Sequence, residues 1–231
     1  MAGATPPAGA MAPLPPMGLR PSRAPQRILL IGAHCDDIEI GCGGLVQQLA
    51  AGCPGASFLW CVFGGEGDRV AETMAASARL LEGCRVEHHV AQFRNSFFPQ
   101  QYAEIKAQFE QRLKPFEPDL VLTHARNDLH QDHRVTCELT WNTFRRHQIL
   151  EYEIPKWDGD LGQPNLYVPL TRAQMERKIE VLMSCFPSQL SRSWFTPETF
   201  SGLARIRGIE CNAEEGYAEA FHGRKQRLAF G

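Results

Sequence analysis

The sequence is short of three things that would have placed it at once. It has no Cys-x-x-Cys pair: its eight cysteines stand at 35, 42, 53, 61, 84, 137, 185 and 211, a spacing that suits neither a zinc finger nor a disulfide framework. It has no run near the roughly 18 apolar residues that a membrane helix needs. Nor does it have an excess of one charge, since 24 Lys plus Arg against 26 Asp plus Glu leave a net charge of −2. That balance excludes the electrostatic footprint of a nucleic-acid or anionic-membrane binder, so neither partner is expected. Several thiols, such as Cys61 within Phe58–Phe63, lie in apolar runs, as free thiols do in reducing compartments, which points to the cytoplasm.

What is present is ordinary globular composition, with 43% apolar and 22% charged residues, which rules out wholesale disorder, collagen and coiled coil. Residues 1–26 are the exception. Rich in Ala and Pro, they read as a disordered tail, and Pro recurs too often for a signal peptide. From Arg27 the chain alternates. Ile28–Ile31 reads as a buried strand, Leu45–Ala50 as a helix, Ser57–Phe63 as a strand and Arg69–Leu81 as a helix. Arg85–Phe93, Gln101–Leu113 and Asp119–Thr123 continue the rhythm as strand, amphipathic helix and strand. Val135–Arg146 is expected to be helical, Ile149–Ile154 a short strand, and Thr171–Cys185 and Pro197–Arg207 helices. Such alternation implies one α/β, Rossmann-like domain over 27–231, its mostly parallel sheet flanked by helices, with ligands bound at the C-terminal ends of the strands.

Two clusters of chemistry-bearing residues stand at such strand ends. The first, Gly32-Ala33-His34-Cys35-Asp36-Asp37, follows the first strand, and glycines 41, 43 and 44 come soon after. A bland reading makes the two aspartates helix caps and His34 a satisfied polar residue, but a cap does not need so many glycines nearby. The second, Thr123-His124-Ala125-Arg126-Asn127-Asp128-Leu129-His130-Gln131-Asp132-His133-Arg134, follows the fourth strand. If strands one and four are neighbours, two His and a carboxylate converge with coordination positions left open, as hydrolytic zinc needs. Spacing does not say which of Asp36 and Asp37 is the ligand: an extended turn pairs 34 with 36, a helical turn 34 with 37.

These motifs resemble those of the LmbE/PIG-L family of zinc-dependent N-deacetylases, whose signatures are A-H-P-D-D and H-x-D-H. The likeness continues through Arg69-x-x-Glu72, Pro164-Asn165, Lys178, Ser188-Gln189 and Tyr217-Ala218-Glu219-Ala220-Phe221. The resemblance implies His34, Asp37 and His133 as ligands of Zn²⁺ or another divalent metal, and Asp36 as general base. It also implies that His130 stabilises the oxyanion or protonates the departing amine, and that Asp132 orients an imidazole. Arg69 and Asn95 are the candidate substrate-binding residues. Arg69 has the alternative of an ordinary ion pair with Glu72. One position departs from the motif: Cys35 stands where the family usually carries Pro.

The expected activity is therefore removal of an acetyl group from an N-acetylated amino sugar in a small glycoside, sugar conjugate or secondary metabolite. Acetate and a free amine would be the products, and a homo-oligomer is compatible with this reading. Two competitors belong to other classes. A nucleotide-binding doubly wound module lacks both G-x-G-x-x-G and a P-loop Lys, and Asp36-Asp37 would repel a pyrophosphate. A non-catalytic relative would not need intact ligands and base.

Overall fold

The computed structural model describes residues 24–226; the expected tail, but for its last three residues, lies outside them. Strand β1 (Arg27–His34) leads into helix α1 (Asp37–Gly52), then β2 (Ser57–Gly64), α2 (Arg69–Leu80) and β3 (Arg85–Val90). After α3 (Tyr102–Gln108) come β4 (Leu120–His124), α4 (Gln131–Thr143) and β5 (Gln148–Tyr152). Strand β6 (Leu166–Leu170), helices α5 (Arg172–Cys185) and α6 (Pro197–Glu210), and β7 (Tyr217–His222) complete the chain. The seven strands form one sheet in the order β3-β2-β1-β4-β5-β7-β6. The first five are parallel, and β7 runs antiparallel between β5 and β6.

The order reverses between β1 and β4, which are paired with Leu30 opposite Leu122. A crevice beyond the carboxyl ends of the strands opens at such a switch point, and both chemistry-bearing clusters emerge there. Alternate residues of β1 feed two cores. Ile28 and Leu30 join the layer that holds Leu45, Val46 and Leu182, while Leu29, Ile31 and Ala33 face the layer with Phe109, Val135 and Leu139. With both faces covered, β1 is a continuous apolar run, as parallel strands are.

Sequence and structure part company at three places. Helix α1 begins at Asp37, eight residues before the expected start, and takes the glycines into its body with a break at Cys42 (φ −146°, ψ 20°). The break is answered from far along the chain: the Glu219 carboxylate accepts from the N–H groups of Gly44 and Leu45, both at 2.7 Å. The Lys178 ammonium donates to the Ile40 carbonyl and to Glu219, again at 2.7 Å. Gly41 permits the bend, because a Cβ there would lie 2.2 Å from the Tyr152 ring. Second, the expected helix over 101–113 is α only to Gln108 and then widens to a π turn at Phe109–Leu113. Third, β6 and β7 lie in stretches with no strand pattern. β6 is an edge strand, which is why it tolerates Pro169.

Candidate metal centre

Strand β1 ends on His34, two residues turn the chain, and α1 starts on Asp37. The bland capping reading fails here, because Asp36, at the cap position, makes no side-chain cap. Its carboxylate pairs instead with Arg69, 2.9 Å away at the start of α2. Arg69 also lies 3.9 Å from Glu72, so it bridges the two acids, and Glu72 in turn accepts from the N–H and hydroxyl of Ser188. Asp37 folds back over the turn, and its Oδ2 accepts the His34 N–H at 2.6 Å. Gly64 leaves room beside this turn, since a Cβ there would stand 2.9 Å from the Ala33 carbonyl.

Helix α4 brings the second cluster. Its cap is His130, whose Nδ1 accepts from the Asp132 N–H at 3.2 Å, leaving Nε2 as the donor in the neutral ring. His133, one turn in, points at β1: its Nε2 is 3.2 Å from His34 Nδ1 and 3.5 Å from Asp37 Oδ1, while His34 Nδ1 is 3.4 Å from Asp37 Oδ2. A tetrahedral centre with bonds of about 2.0–2.1 Å needs donors about 3.3 Å apart. The two imidazole nitrogens stand at that spacing, and Asp37 reaches His133 with Oδ1 and His34 with Oδ2, so the three side chains crowd together at the spacing of donors around a small divalent ion. Two overlapping donor sets, His34–His130–His133 and Asp37–His124–His133, each lie within 4.8 Å.

Each imidazole is oriented from behind. His34 Nε2 faces Asp132 Oδ2 at 3.1 Å and His133 Nδ1 faces Asp128 Oδ2 at 2.8 Å, the carboxylate–histidine arrangement that turns the opposite nitrogen toward a metal. Asp132 also accepts from the N–H groups of Ser96 and Phe98, tying the 94–98 loop to the site. Asp37 has His124 behind it, with Nε2 3.1 Å from Oδ2. That nitrogen also receives the Ala33 N–H at 2.9 Å, and it cannot accept from one and donate to the other at once.

The electrostatics follow from this crowding. Burial opposes charge on His34, but Asp37 and then Asp132 outweigh it and push the imidazole up to about 10. Burial and the neighbouring His124 hold His133 down to about 3. Burial works against ionisation of Asp37 too, yet the surrounding His133, His124 and His34 keep its carboxyl well below the usual range. Asp36 goes the other way: burial raises it, and Arg69 only partly offsets the rise. The Cys35 thiol lies 3.9 Å from the Gly64 carbonyl and is pushed up to about 12, by burial first.

The structure thus gathers His34, Asp37, His130, Asp132 and His133 at one point, with Asp36 and Arg69 paired beside them. Asn95 is exposed on the 94–98 loop, its side chain accepting only from the Ser96 hydroxyl at 3.5 Å among the described contacts. Sequence reasoning assigned no role to His124, Asp128 or Lys156. The first two stood inside the second cluster, and Asp128 lies five residues before a candidate ligand. Lys156, 3.1 Å from Asp128, sits in a Pro/Gly-interrupted stretch that carries no signal.

A cluster of imidazoles and carboxylates that could hold a metal ion, at the switch point of a doubly wound sheet, defines the class, and comparison gives the family. The profile described as PIG-L, GlcNAc-PI de-N-acetylase, matches residues 29–144. That is half of the chain, with both clusters inside it, and the protein belongs to this family. A comparison with curated proteins finds no match. Among solved structures, the conserved protein TT1542 from Thermus thermophilus is similar over 88% of this chain and 96% of its own, at 21% identity and a TM-score of 0.69. The N,N'-diacetylchitobiose deacetylase of Pyrococcus horikoshii is similar over 86% and 83%, at 19% identity and 0.64. GalB, a 4-carboxy-2-hydroxymuconate hydratase from Pseudomonas putida, is similar over 89% and 99%, at 16% identity and 0.64. Among the described residues no helix is long and apolar enough to cross a membrane.

Proposed function

We propose that the protein hydrolyses the N-acetyl group of an amino sugar carried in a small glycoside or sugar conjugate, with Zn²⁺ held by His34, Asp37 and His133. The observation that carries this reading is the approach of His34 Nδ1 and His133 Nε2 to 3.2 Å with the two Asp37 oxygens 3.4 and 3.5 Å from them, beside which an adjacent carboxylate, Asp36, is turned to Arg69 instead. A divalent metal in such a centre acts as a Lewis acid toward a carbonyl and makes water acidic enough to lose a proton near neutral pH. Asp36 takes that proton. Its carboxyl, raised by burial against the pull of Arg69, is shifted toward the range in which a base works at neutral pH. His130 offers Nε2–H as a hydrogen bond to the developing oxyanion, and the proton that Asp36 has taken passes to the departing amine. Asp132 and Asp128 hold the two ligand imidazoles, and Arg69 and Asn95 contact the sugar.

The fold alone would not select this chemistry, since it also serves a hydratase. The family match across both clusters and the deacetylase among the similar structures support hydrolysis of an amide. The cytoplasm is proposed as the compartment on the strength of eight free thiols, six of them buried. The test is metal analysis of the purified protein together with acetate release over N-acetylated amino sugars and their glycosides. The expected result is one zinc per chain and acetate from at least one glycoside, lost in His133→Ala. Stoichiometric zinc without acetate from any N-acetyl compound would reject the activity while leaving the centre.

A further inference from the structure

Eight large apolar side chains stand exposed among the described residues, and four of them, Phe97, Leu129, Trp157 and Leu161, lie on loops fastened to the candidate site. Scattered apolar surface is ordinary; half of the large exposed side chains on loops tied to one site is a pattern, with the Arg94 guanidinium 3.6 Å over the Phe97 ring. The fastenings are specific. Phe97 lies between Ser96 and Phe98, whose N–H groups both donate to Asp132, the carboxylate behind His34. Leu129 lies between Asp128 and His130, and its N–H donates to Asp160 at 2.6 Å. Trp157 follows Lys156, a nearly buried lysine that pairs with Asp160 at 2.6 Å and with Asp128, the carboxylate behind His133. Leu161 follows Asp160. The loops 94–98 and 155–162 are thus locked to the two carboxylates that orient the imidazoles, and Trp157, 75% exposed, stands uncovered.

We propose that these four side chains form an apolar rim to the site and that the substrate carries an apolar group, an aryl or alkyl aglycone, which rests on it and chiefly on Trp157. The inference rests on the hydrolase reading and narrows its substrate class. The occupant follows from continuity: the rim is built on the residues that hold the metal ligands, so a molecule whose amide reaches those ligands passes beneath it. The floor of the site is imidazole and carboxylate while its edge is indole, phenyl and isobutyl, and one ligand that uses both is amphipathic. The Lys156 and Asp160 charges that a lipid surface would meet are spent on each other and on Asp128.

The test compares methyl and octyl β-glycosides of N-acetylglucosamine, the octyl compound below its micellar concentration, with zinc-loaded protein. The expected result is a kcat/KM about tenfold or more higher for the octyl glycoside, through KM, and a collapse of that preference in Trp157→Ser but not in Ile209→Ser, an exposed apolar change on α6. Equal kcat/KM for the two glycosides in the wild type overturns the rim and leaves the hydrolase reading intact. If neither glycoside releases acetate, the hydrolase reading rests on the wider panel of N-acetyl compounds, and calorimetric binding of the two decides the rim. Tighter octyl binding that Trp157→Ser removes supports it, and equal binding overturns it. Co-sedimentation with phosphatidylcholine vesicles that depends on Trp157, without an octyl preference in solution, would make the rim a membrane contact and overturn the proposal.

Discussion

Two buried polar clusters touch helix α1, one at its first turn and one at its break, and they differ in how their polar atoms are answered. At the break, Glu219 takes two backbone N–H groups and the Lys178 ammonium, and Lys178 gives a further hydrogen bond to Ile40, all at 2.7 Å. At the first turn, two imidazole nitrogens face one another at 3.2 Å with a carboxylate beside both. His124 Nδ1, fully buried nearby, has no hydrogen-bond partner among the described residues. The first cluster is closed, and every charge has its complement. The second is open: its imidazoles and carboxylate crowd one another, and a His124 nitrogen goes unanswered. Buried polar groups are normally paired, so the open cluster suits the ion proposed for it, and the closed one is a structural brace.

The largest effect expected from this contrast is on the closed cluster. Glu219→Gln leaves the Lys178 ammonium buried without its counter-charge, and the cost is about 3–5 kcal/mol of stability, read by denaturant unfolding of the metal-free protein. A loss under about 1 kcal/mol, far below that range, would mean that the break in α1 holds itself. Next comes zinc-linked stability. Zinc at about a hundredfold its Kd should stabilise the wild type by about 2.7 kcal/mol, seen as a rise in Tm, and leave His34→Ala unmoved. An equal rise in both would place the ion elsewhere.

Of similar size on a kinetic scale, His130→Ala should keep its metal and lose on the order of 100-fold in kcat, the worth of one oxyanion donor; a change in KM alone would reassign His130 to substrate binding. The smallest effect belongs to Cys35→Ser. With its thiol against the Gly64 carbonyl and pushed up to about 12 by burial, Cys35 belongs to neither donor set. Metal content should stay the same; a drop would show a fourth protein ligand.

The contrast also explains what the sequence made legible. The apolar runs 28–31, 58–63 and 120–122 announce buried parallel strands, and each cluster of His and Asp follows a strand end, so the doubly wound sheet and most of the site can be read from local pattern. The closed cluster cannot. Its members, Ile40, Gly44, Lys178 and Glu219, meet only through the tertiary fold, and a run with glycines at 41, 43 and 44 reads as loop until Glu219 supplies the missing acceptor. Strand β7 escapes notice because its partners in β6 lie far earlier in the chain, Leu166 opposite Phe221. Lys156 escapes for the same reason. Spacing leaves Asp36 and Asp37 open and only the family resemblance chooses between them; the fold adds that one carboxylate is turned to Arg69 and the other to His34 and His133.

That choice is the centre of the account, and zinc stoichiometry measured side by side on the wild type, Asp37→Asn and Asp36→Asn tests it most directly. Asp37→Asn removes an anionic ligand and Asp36→Asn only a proton acceptor. The account expects one zinc per chain in the wild type, little or none in Asp37→Asn, and one in Asp36→Asn with most of kcat gone. Zinc retained by Asp37→Asn and lost from Asp36→Asn would contradict it.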